Sequence, residues 1–261
     1  MIFSTVSGLS SDPTPNIMTN SDPQLIAVAV HDLRVVRGGA TILHDISLNV
    51  PRGIVYGLVG PSGSGKTTFI RSLIGRQRLA GGDVHVDGLP AGSSKLRTRI
   101  GYMPQETAVY DDLTGRENLE FFGSIDRVSH SRIDEVVDLL DMHDAIDRPI
   151  TTYSGGQRRR ISLGIALLAS PPYLFLDEPT VGLDPRLRHR LWASFAAWAA
   201  EGTTLLVSTH VMDEAARADR LAFFADGRIV ADGTPHELLT RTGAADLEEA
   251  LLLLTESRSA T

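Results

Sequence analysis

The chain has 261 residues, 42% of them hydrophobic, which is enough for one large domain or two small ones with a substantial core. Its net charge of −7 disfavours general nucleic-acid binding, which needs clustered positive charge. The sequence has no cysteine, which excludes disulfides and thiol chemistry, and no apolar stretch of the roughly 18–20 residues that cross a bilayer.

Residues 1–24 are predicted to be a disordered N-terminal lead. They are rich in Ser, Thr, Asp, Asn and Pro, and they lack the basic residues that open a secretory signal. Met18 is an alternative to Met1 as the start of the protein. We therefore expect the folded part to begin near Leu25 and the protein to lie in the cytoplasm.

Between Leu25 and Asp87, apolar segments separated by glycine turns predict strands around a glycine-rich loop. An apolar run at 54–59 precedes the loop, and a helical pattern at 69–74 follows it. This strand-loop-helix order is typical of a phosphate-binding loop. The loop residues are Gly60, Pro61, Ser62, Gly63, Ser64, Gly65, Lys66, Thr67 and Thr68.

The loop chemistry suits a nucleoside triphosphate. Glycines allow left-handed backbone and leave no Cβ between the main-chain N–H groups and a phosphate. Lys66 supplies a compact positive charge for the β- and γ-phosphates, and the Thr67 hydroxyl suits Mg²⁺. A Gly/Ser turn could match the pattern without binding phosphate, but the flanking strand and helix favour the phosphate loop.

Residues 106–170 are predicted to be a helical insertion. Thr114 and Glu117 form a capping-box pattern, and apolar residues recur at helical spacing from Ile133 to Leu140. Tyr110, Leu113 and Phe121 could be exposed contacts or subdomain core, and the sequence leaves both open.

Four residues, Ser154, Gly155, Gly156 and Gln157, open the last helix of the insertion. Ser154 and Gln157 match an ordinary capping box. The two glycines between them cost helix stability unless something approaches the backbone closely. Since a helix N-terminus binds anions, the segment is interpreted as a second anion site. One phosphate does not need two such sites unless the second serves another subunit.

Two further strands end in residues that suit phosphate hydrolysis. The apolar run at 172–176 leads into Asp177, a candidate metal ligand, and Glu178, a candidate base for the attacking water. The strand at 203–209 ends before His210, which by itself could be a surface or packing residue. The other histidines are scattered without metal-ligand spacing.

Farther on, Asp226-Gly227 predicts a hairpin turn and Thr234 caps a helix. In order, these features resemble the ATP-binding cassette family, the ATPase subunits of ABC transporters, over residues 25–255. The matching segments are the phosphate loop at 60–67, the Q-loop at Gln105, the signature at 154–157, the acidic strand at 173–178, the D-loop at 182–185 and the switch histidine, His210.

The resemblance implies an α/β P-loop NTPase fold with a RecA-like core, an antiparallel β subdomain and a helical subdomain. The ATPase domain would span 25–240, with a C-terminal helix and tail at 241–261. Family members join head to tail, so that each ATP with its Mg²⁺ lies between one subunit's phosphate loop and the other's signature. Gln105 would sense the γ-phosphate and Mg²⁺, His210 would help position Glu178 and the water, and Asp184 would line the subunit boundary.

Two residues depart from the family pattern. Tyr153 replaces the leucine that normally begins the signature. Arg37 stands where an aromatic residue usually stacks on adenine; its guanidinium could stack on a purine or be a solvated surface charge.

The segment at 108–119 and the tail at 243–250 look like the ABC-2 group, which includes drug-resistance exporter ATPases. That resemblance implies a separate permease in the membrane, which would hold this subunit at the inner face of the membrane and bind the transported substrate. The second subunit would be a copy or a paralogue. A soluble ABC ATPase with a regulatory or assembly role remains the alternative. No nucleic-acid partner is expected.

Overall fold

The structure is a computed structural model that describes residues 25–259, so the predicted disorder of residues 1–24 lies outside the described residues. The strands are β1 (Ile26–Arg37), β2 (Ala40–Pro51), β3 (Val55–Val59), β4 (Gly81–Val86), β5 (Leu89–Pro90), β6 (Ile100–Met103), β7 (Tyr173–Asp177), β8 (Thr204–Thr209), β9 (Arg220–Ala225) and β10 (Arg228–Gly233). The helices are α1 (Lys66–Leu73), α2 (Gly115–Ile125), α3 (His130–Leu140), α4 (Gly155–Leu167), α5 (Pro185–Ala200), α6 (Met212–Ala215), α7 (Pro235–Thr242) and α8 (Leu247–Ser259).

The first part of the chain forms an antiparallel sheet in the order β2-β1-β4-β5. Over much of β1 and β2, side chains alternate between buried and exposed, as expected for a sheet with one solvent-exposed face. A tight turn follows β4, where Asp87 and Gly88 both take left-handed backbone, with φ of 55° and 71°.

The second sheet has the order β10-β9-β3-β8-β7-β6, with five neighbouring strands parallel and β10 antiparallel at one edge. Every residue of β3 and β7 is buried, which explains their continuous apolar runs. Val59 pairs with Thr209, and Asp177 pairs with Ser208. The carboxyl ends of β3, β7 and β8 therefore lie side by side and bring three loops to one edge.

Two apolar clusters cover the two faces of this sheet. Tyr56 and Leu58 pack with the antiparallel sheet and α1, whereas Val55 and Val59 pack on the side of α3, α4 and α5. This alternation along β3 is the two-residue period of a strand. One strand thus joins both halves of the core just before the glycine-rich loop at 60–68.

Helices α2, α3 and α4 fall within the predicted insertion. The capping boxes at Thr114, Ser154 and Thr234 all form. The predicted apolar face of α3 is buried from Ile133 to Leu140. Among residues 25–259, none of the helices combines the length and apolarity that crossing a bilayer requires.

Candidate active site

The loop between β3 and α1 depends on glycine at two positions with left-handed backbone. Gly60 has φ 154°, and a Cβ there would lie 2.2 Å from the main-chain oxygen of Phe224. Gly65 has φ 107°, and its Cβ would lie 2.7 Å from Leu43. A side chain at either position would displace the loop, so the turn into α1 requires glycine.

Lys66 begins α1 and is only 5% exposed. Its Nζ donates to the main-chain oxygens of Gly60, at 2.6 Å, and Pro61, at 2.9 Å. Burial lowers the pKa of Lys66, and the nearby carboxylates of Glu178 and Asp177 oppose that effect. The ammonium is thus held against the loop at the edge where the two acids lie.

Asp177 ends β7 and is 1% exposed. Its Oδ1 accepts a 2.6 Å hydrogen bond from Ser208 Oγ, while Oδ2 is buried with no hydrogen-bond partner among the described residues. Burial raises the pKa of Asp177, and the nearby hydroxyls of Ser208 and Thr67 oppose that shift. One oxygen is therefore fixed by protein, and the other is available to a cation.

Glu178 and His210 lie together beside this carboxylate. Glu178 has left-handed backbone with φ 53°, which turns the chain sharply after β7. His210 Nδ1 lies 3.2 Å from Glu178 Oε1. The imidazole is exposed, whereas the carboxylate is nearly buried. The pair can hold a water molecule at the rim of the site.

Ser208 joins these acids and was missed by the sequence interpretation. Its Oγ accepts from the main-chain N–H of Glu178 at 2.9 Å while donating to Asp177. Ser208 lies two residues before His210 on β8, the strand that pairs with β7. That position in the sequence is the signal that could have indicated its role. Ser208 therefore orients the Asp177 carboxylate and holds the main chain at Glu178.

The segment at 154–157 lies in a different part of the surface. Ser154 and Gln157 cap α4 reciprocally, at 3.2 Å and 3.0 Å. The start of α4 lines a cleft of about 570 Å³ together with Gln105 and Gly182. Of the residues that the structure describes, none from 60–68 lines this cleft. In this cleft, the described signature residues therefore lie without the chain's own phosphate loop.

Three consecutive arginines follow Gln157 and contact different partners. Arg158 pairs with Asp111 at 2.5 Å, Arg159 donates to the main-chain oxygen of Glu178 at 3.1 Å, and Arg160 donates to Asp184 at 3.1 Å. The three side chains therefore point in different directions. Because each has an internal partner, they do not form a continuous basic patch.

The D-loop carboxylate also caps a helix. Asp184 precedes α5 and accepts from the main-chain N–H of Leu187 at 3.0 Å. This hydrogen bond is the main reason that the pKa of Asp184 is lowered, with a further contribution from Arg160. Asp184 thus connects the start of α5 to α4.

The two departures from the family pattern have different surroundings. Tyr153 is buried, and its hydroxyl donates to the main-chain oxygen of Ala145 at 2.6 Å. The aromatic ring fits because position 115 is glycine, where a Cβ would lie 2.4 Å from that hydroxyl. Arg37 ends β1 with an exposed side chain.

The comparisons with known proteins agree on the family. The ABC transporter domain family matches residues 43–181. The daunorubicin/doxorubicin resistance ATP-binding protein DrrA of Streptomyces peucetius is 40% identical over 225 residues, covering 84% of this chain and 68% of that protein. The Nod factor export ATP-binding protein I of Ralstonia nicotianae is 36% identical over 85% of this chain and 71% of its own length.

Solved structures confirm the predicted fold. The ATP-binding subunit of an ABC transporter superposes with a TM-score of 0.80 at 26% identity, over 88% of this chain and 99% of that one. A dimeric ATP-binding cassette bound to ADP and Pi superposes with a TM-score of 0.74 at 24% identity, over 79% of this chain and 98% of that one. The chain therefore belongs to the ABC transporter family and is an ATP-binding subunit with ATPase activity.

Proposed function

We propose that this ATPase drives export through a separate membrane permease of the ABC-2 type, as a head-to-tail dimer around two ATP molecules. The main observation is that Lys66, Asp177, Glu178 and His210 meet at one edge of the sheet, while the signature lines another cleft. A helix N-terminus with uncovered glycine backbone binds anions. A second subunit would bring its signature to the phosphates held by the first.

The phosphate loop, residues 60–68, holds the triphosphate in this proposal. The main-chain N–H groups and Lys66 bind its oxygens, and the N-terminus of α1 adds a favourable dipole. Arg37, exposed at the end of β1, stacks on the base. Ser154, Gly155, Gly156 and Gln157 of the partner close the site, and Asp184 lines the boundary between the subunits.

The residues present fit a Mg²⁺ ion. Asp177 offers a buried carboxylate oxygen without a protein partner, and Thr67 offers a hydroxyl next to it. Gln105, which lines the signature cleft in the single chain, would add an amide oxygen to this site. A bound Mg²⁺ would neutralise phosphate charge.

Hydrolysis is assigned to the Glu178–His210 pair. The Glu178 carboxylate polarises a water for attack on the γ-phosphate, which leaves ADP and inorganic phosphate. His210, 3.2 Å from that carboxylate, orients it and hydrogen-bonds the γ-phosphate. Loss of the γ-phosphate removes the bridge between the subunits.

The proposed permease contact is the apolar patch formed by Tyr110, Phe121 and Ile125, which are 50%, 47% and 68% exposed. The ring centroids of Tyr110 and Phe121 are 5.1 Å apart. Leu113 is only partly exposed and is therefore not counted in this patch. Exposed apolar clusters of this kind favour a protein partner. The relatives that serve drug resistance and Nod factor export favour an export role, and multidrug efflux fits it.

The test uses the tagged Glu178→Gln variant, which should bind ATP, hydrolyse it very slowly and accumulate as a dimer with ATP and Mg²⁺. Affinity purification from detergent-solubilised membranes should then recover a multi-spanning permease, held at the inner face of the membrane. Lys66→Ala, which lacks the phosphate contact, is the control for ATP-dependent dimer formation. A variant that stays monomeric with ATP would contradict the dimer mechanism. Recovery of soluble partners alone, with normal ATPase activity, would favour the regulatory or assembly role.

A further inference from the structure

A buried carboxylate outside all the motifs lies directly behind the Glu178–His210 pair. Glu214, in the short helix α6, is 2% exposed. Its Oε2 accepts hydrogen bonds from Thr180 Oγ1 at 2.8 Å and Thr209 Oγ1 at 2.9 Å. Because burying a carboxylate is costly, this placement requires compensating contacts, and the two hydroxyls supply them.

The two threonines belong to the two segments that carry the reacting pair. Thr180 is two residues after Glu178, and Thr209 is the residue before His210. Thr209 Oγ1 also accepts from the main-chain N–H of Val211 at 3.0 Å, which closes the turn that carries the imidazole. One carboxylate oxygen therefore connects the loop after β7 to the turn after β8.

The other oxygen of Glu214 reaches the D-loop side. Oε1 lies 3.3 Å from Nε of Arg188 on α5, and Arg188 Nη2 donates to the main-chain oxygen of Leu183 at 3.4 Å. Leu183 stands immediately before Asp184, the cap of α5. The same carboxylate thus contacts, directly or through one side chain, two points of the loop between β7 and α5 and the turn after β8.

We propose that Glu214 is a positioning residue for ATP hydrolysis: it holds Glu178 and His210 in register through the hydroxyls of Thr180 and Thr209. This inference rests on the proposed roles of Glu178 and His210. Precise alignment of a base and a water is worth orders of magnitude in rate, because a small displacement lengthens the reacting distance. Glu214 acts on that alignment without touching the nucleotide.

The first experiment compares Glu214→Leu and Glu214→Gln in the full-length protein. Leucine removes both acceptor oxygens, and kcat should fall about 10- to 100-fold while the Kd for ATP changes less than about 2-fold. Glutamine keeps one acceptor oxygen for the threonines, and the loss should be only about 3-fold. Tyr56→Phe is the matched control, since it removes another internal hydrogen bond, to Asp232 at 2.6 Å, and should leave kcat unchanged.

Thr209 provides a second route if Glu214→Leu does not fold. Thr209→Ser keeps the hydroxyl and should retain kcat, whereas Thr209→Val removes it and should reproduce the loss seen with Glu214→Leu. Folding of each variant is checked by thermal denaturation. Equal kcat for the serine and valine variants would overturn the proposal.

A double-mutant cycle with His210→Ala distinguishes positioning from general destabilisation. If Glu214 acts through the Glu178–His210 pair, adding Glu214→Leu to His210→Ala should cause a clearly smaller loss in single-turnover hydrolysis than Glu214→Leu causes in the wild type. Losses that simply multiply would contradict the inference. Normal hydrolysis by His210→Ala alone would instead contradict the proposed function, so the two failures are distinguishable.

Discussion

Gly155→Ala should raise the stability of the subunit and lower its ATPase activity. Gly155 is the first residue of α4, and a Cβ added there has nothing within 4 Å in the single chain. Alanine is a better helix former than glycine by about 1 kcal/mol in a helix interior, and we expect about half of that in the first turn. The melting temperature should therefore rise by roughly 1–2 °C.

Activity should change in the opposite direction. In the proposed dimer, the first turn of α4 presents its N–H groups to the γ-phosphate held by the partner, and a methyl group there prevents the close approach. Losing one preorganised donor of this kind costs about 100-fold in rate, or roughly 2.7 kcal/mol. The double variant with Glu178→Gln should also fail to form an ATP-dependent dimer.

The assay is steady-state phosphate release together with size-exclusion chromatography in ATP and Mg²⁺. Gly123→Ala is the matched control, because Gly123 lies in α2 and its Cβ would make only an ordinary contact, 3.4 Å from Val128. That control should be as stable as the wild type or more so, and fully active. If Gly155→Ala hydrolysed ATP at the wild-type rate, the assignment of this helix end to the partner's phosphate would be refuted.

Three other substitutions test the phosphate loop, the buried acid and the signature. Lys66→Ala should abolish measurable ATP binding by calorimetry, because the loop loses its positive charge. Burial raises the pKa of Asp177 above its ordinary value of 3.8. The folded protein therefore loses stability as the pH rises from 3.8 through the raised pKa, because the buried carboxyl group has to ionise. Asp177→Asn should therefore melt at a higher temperature than the wild type at pH 7, lose that advantage in acid and not hydrolyse ATP. Tyr153→Phe should lose about 1 kcal/mol of stability with its hydrogen bond to Ala145, lowering the melting temperature by roughly 2–4 °C, with ATPase activity unchanged.

Features specified by neighbouring residues could be predicted from the sequence. The three capping boxes need only a hydroxyl and an acceptor three residues apart, and the hairpin after β9 needs only Asp226 and Gly227. The contacts of Ser208 and Glu214 are not specified by neighbouring residues in this way. Their contacts with Asp177 and Thr180 depend on the pairing of β7 with β8, strands that are far apart in the sequence.

Local sequence did not decide which apolar side chains of this segment are exposed, and the exposed patch formed by Tyr110, Phe121 and Ile125 bears on the proposed function. Phe121 and Phe122 are adjacent on α2, so they cannot both face the same core. The structure turns Phe122 towards the core, whereas Phe121 and Ile125, four residues apart, share the outer face. Tyr110 stands in the loop before α2 and packs against both rings. Folding of the subunit does not require three large apolar side chains on this outer face, so their exposure favours a contact with a partner, which is the role proposed for the permease.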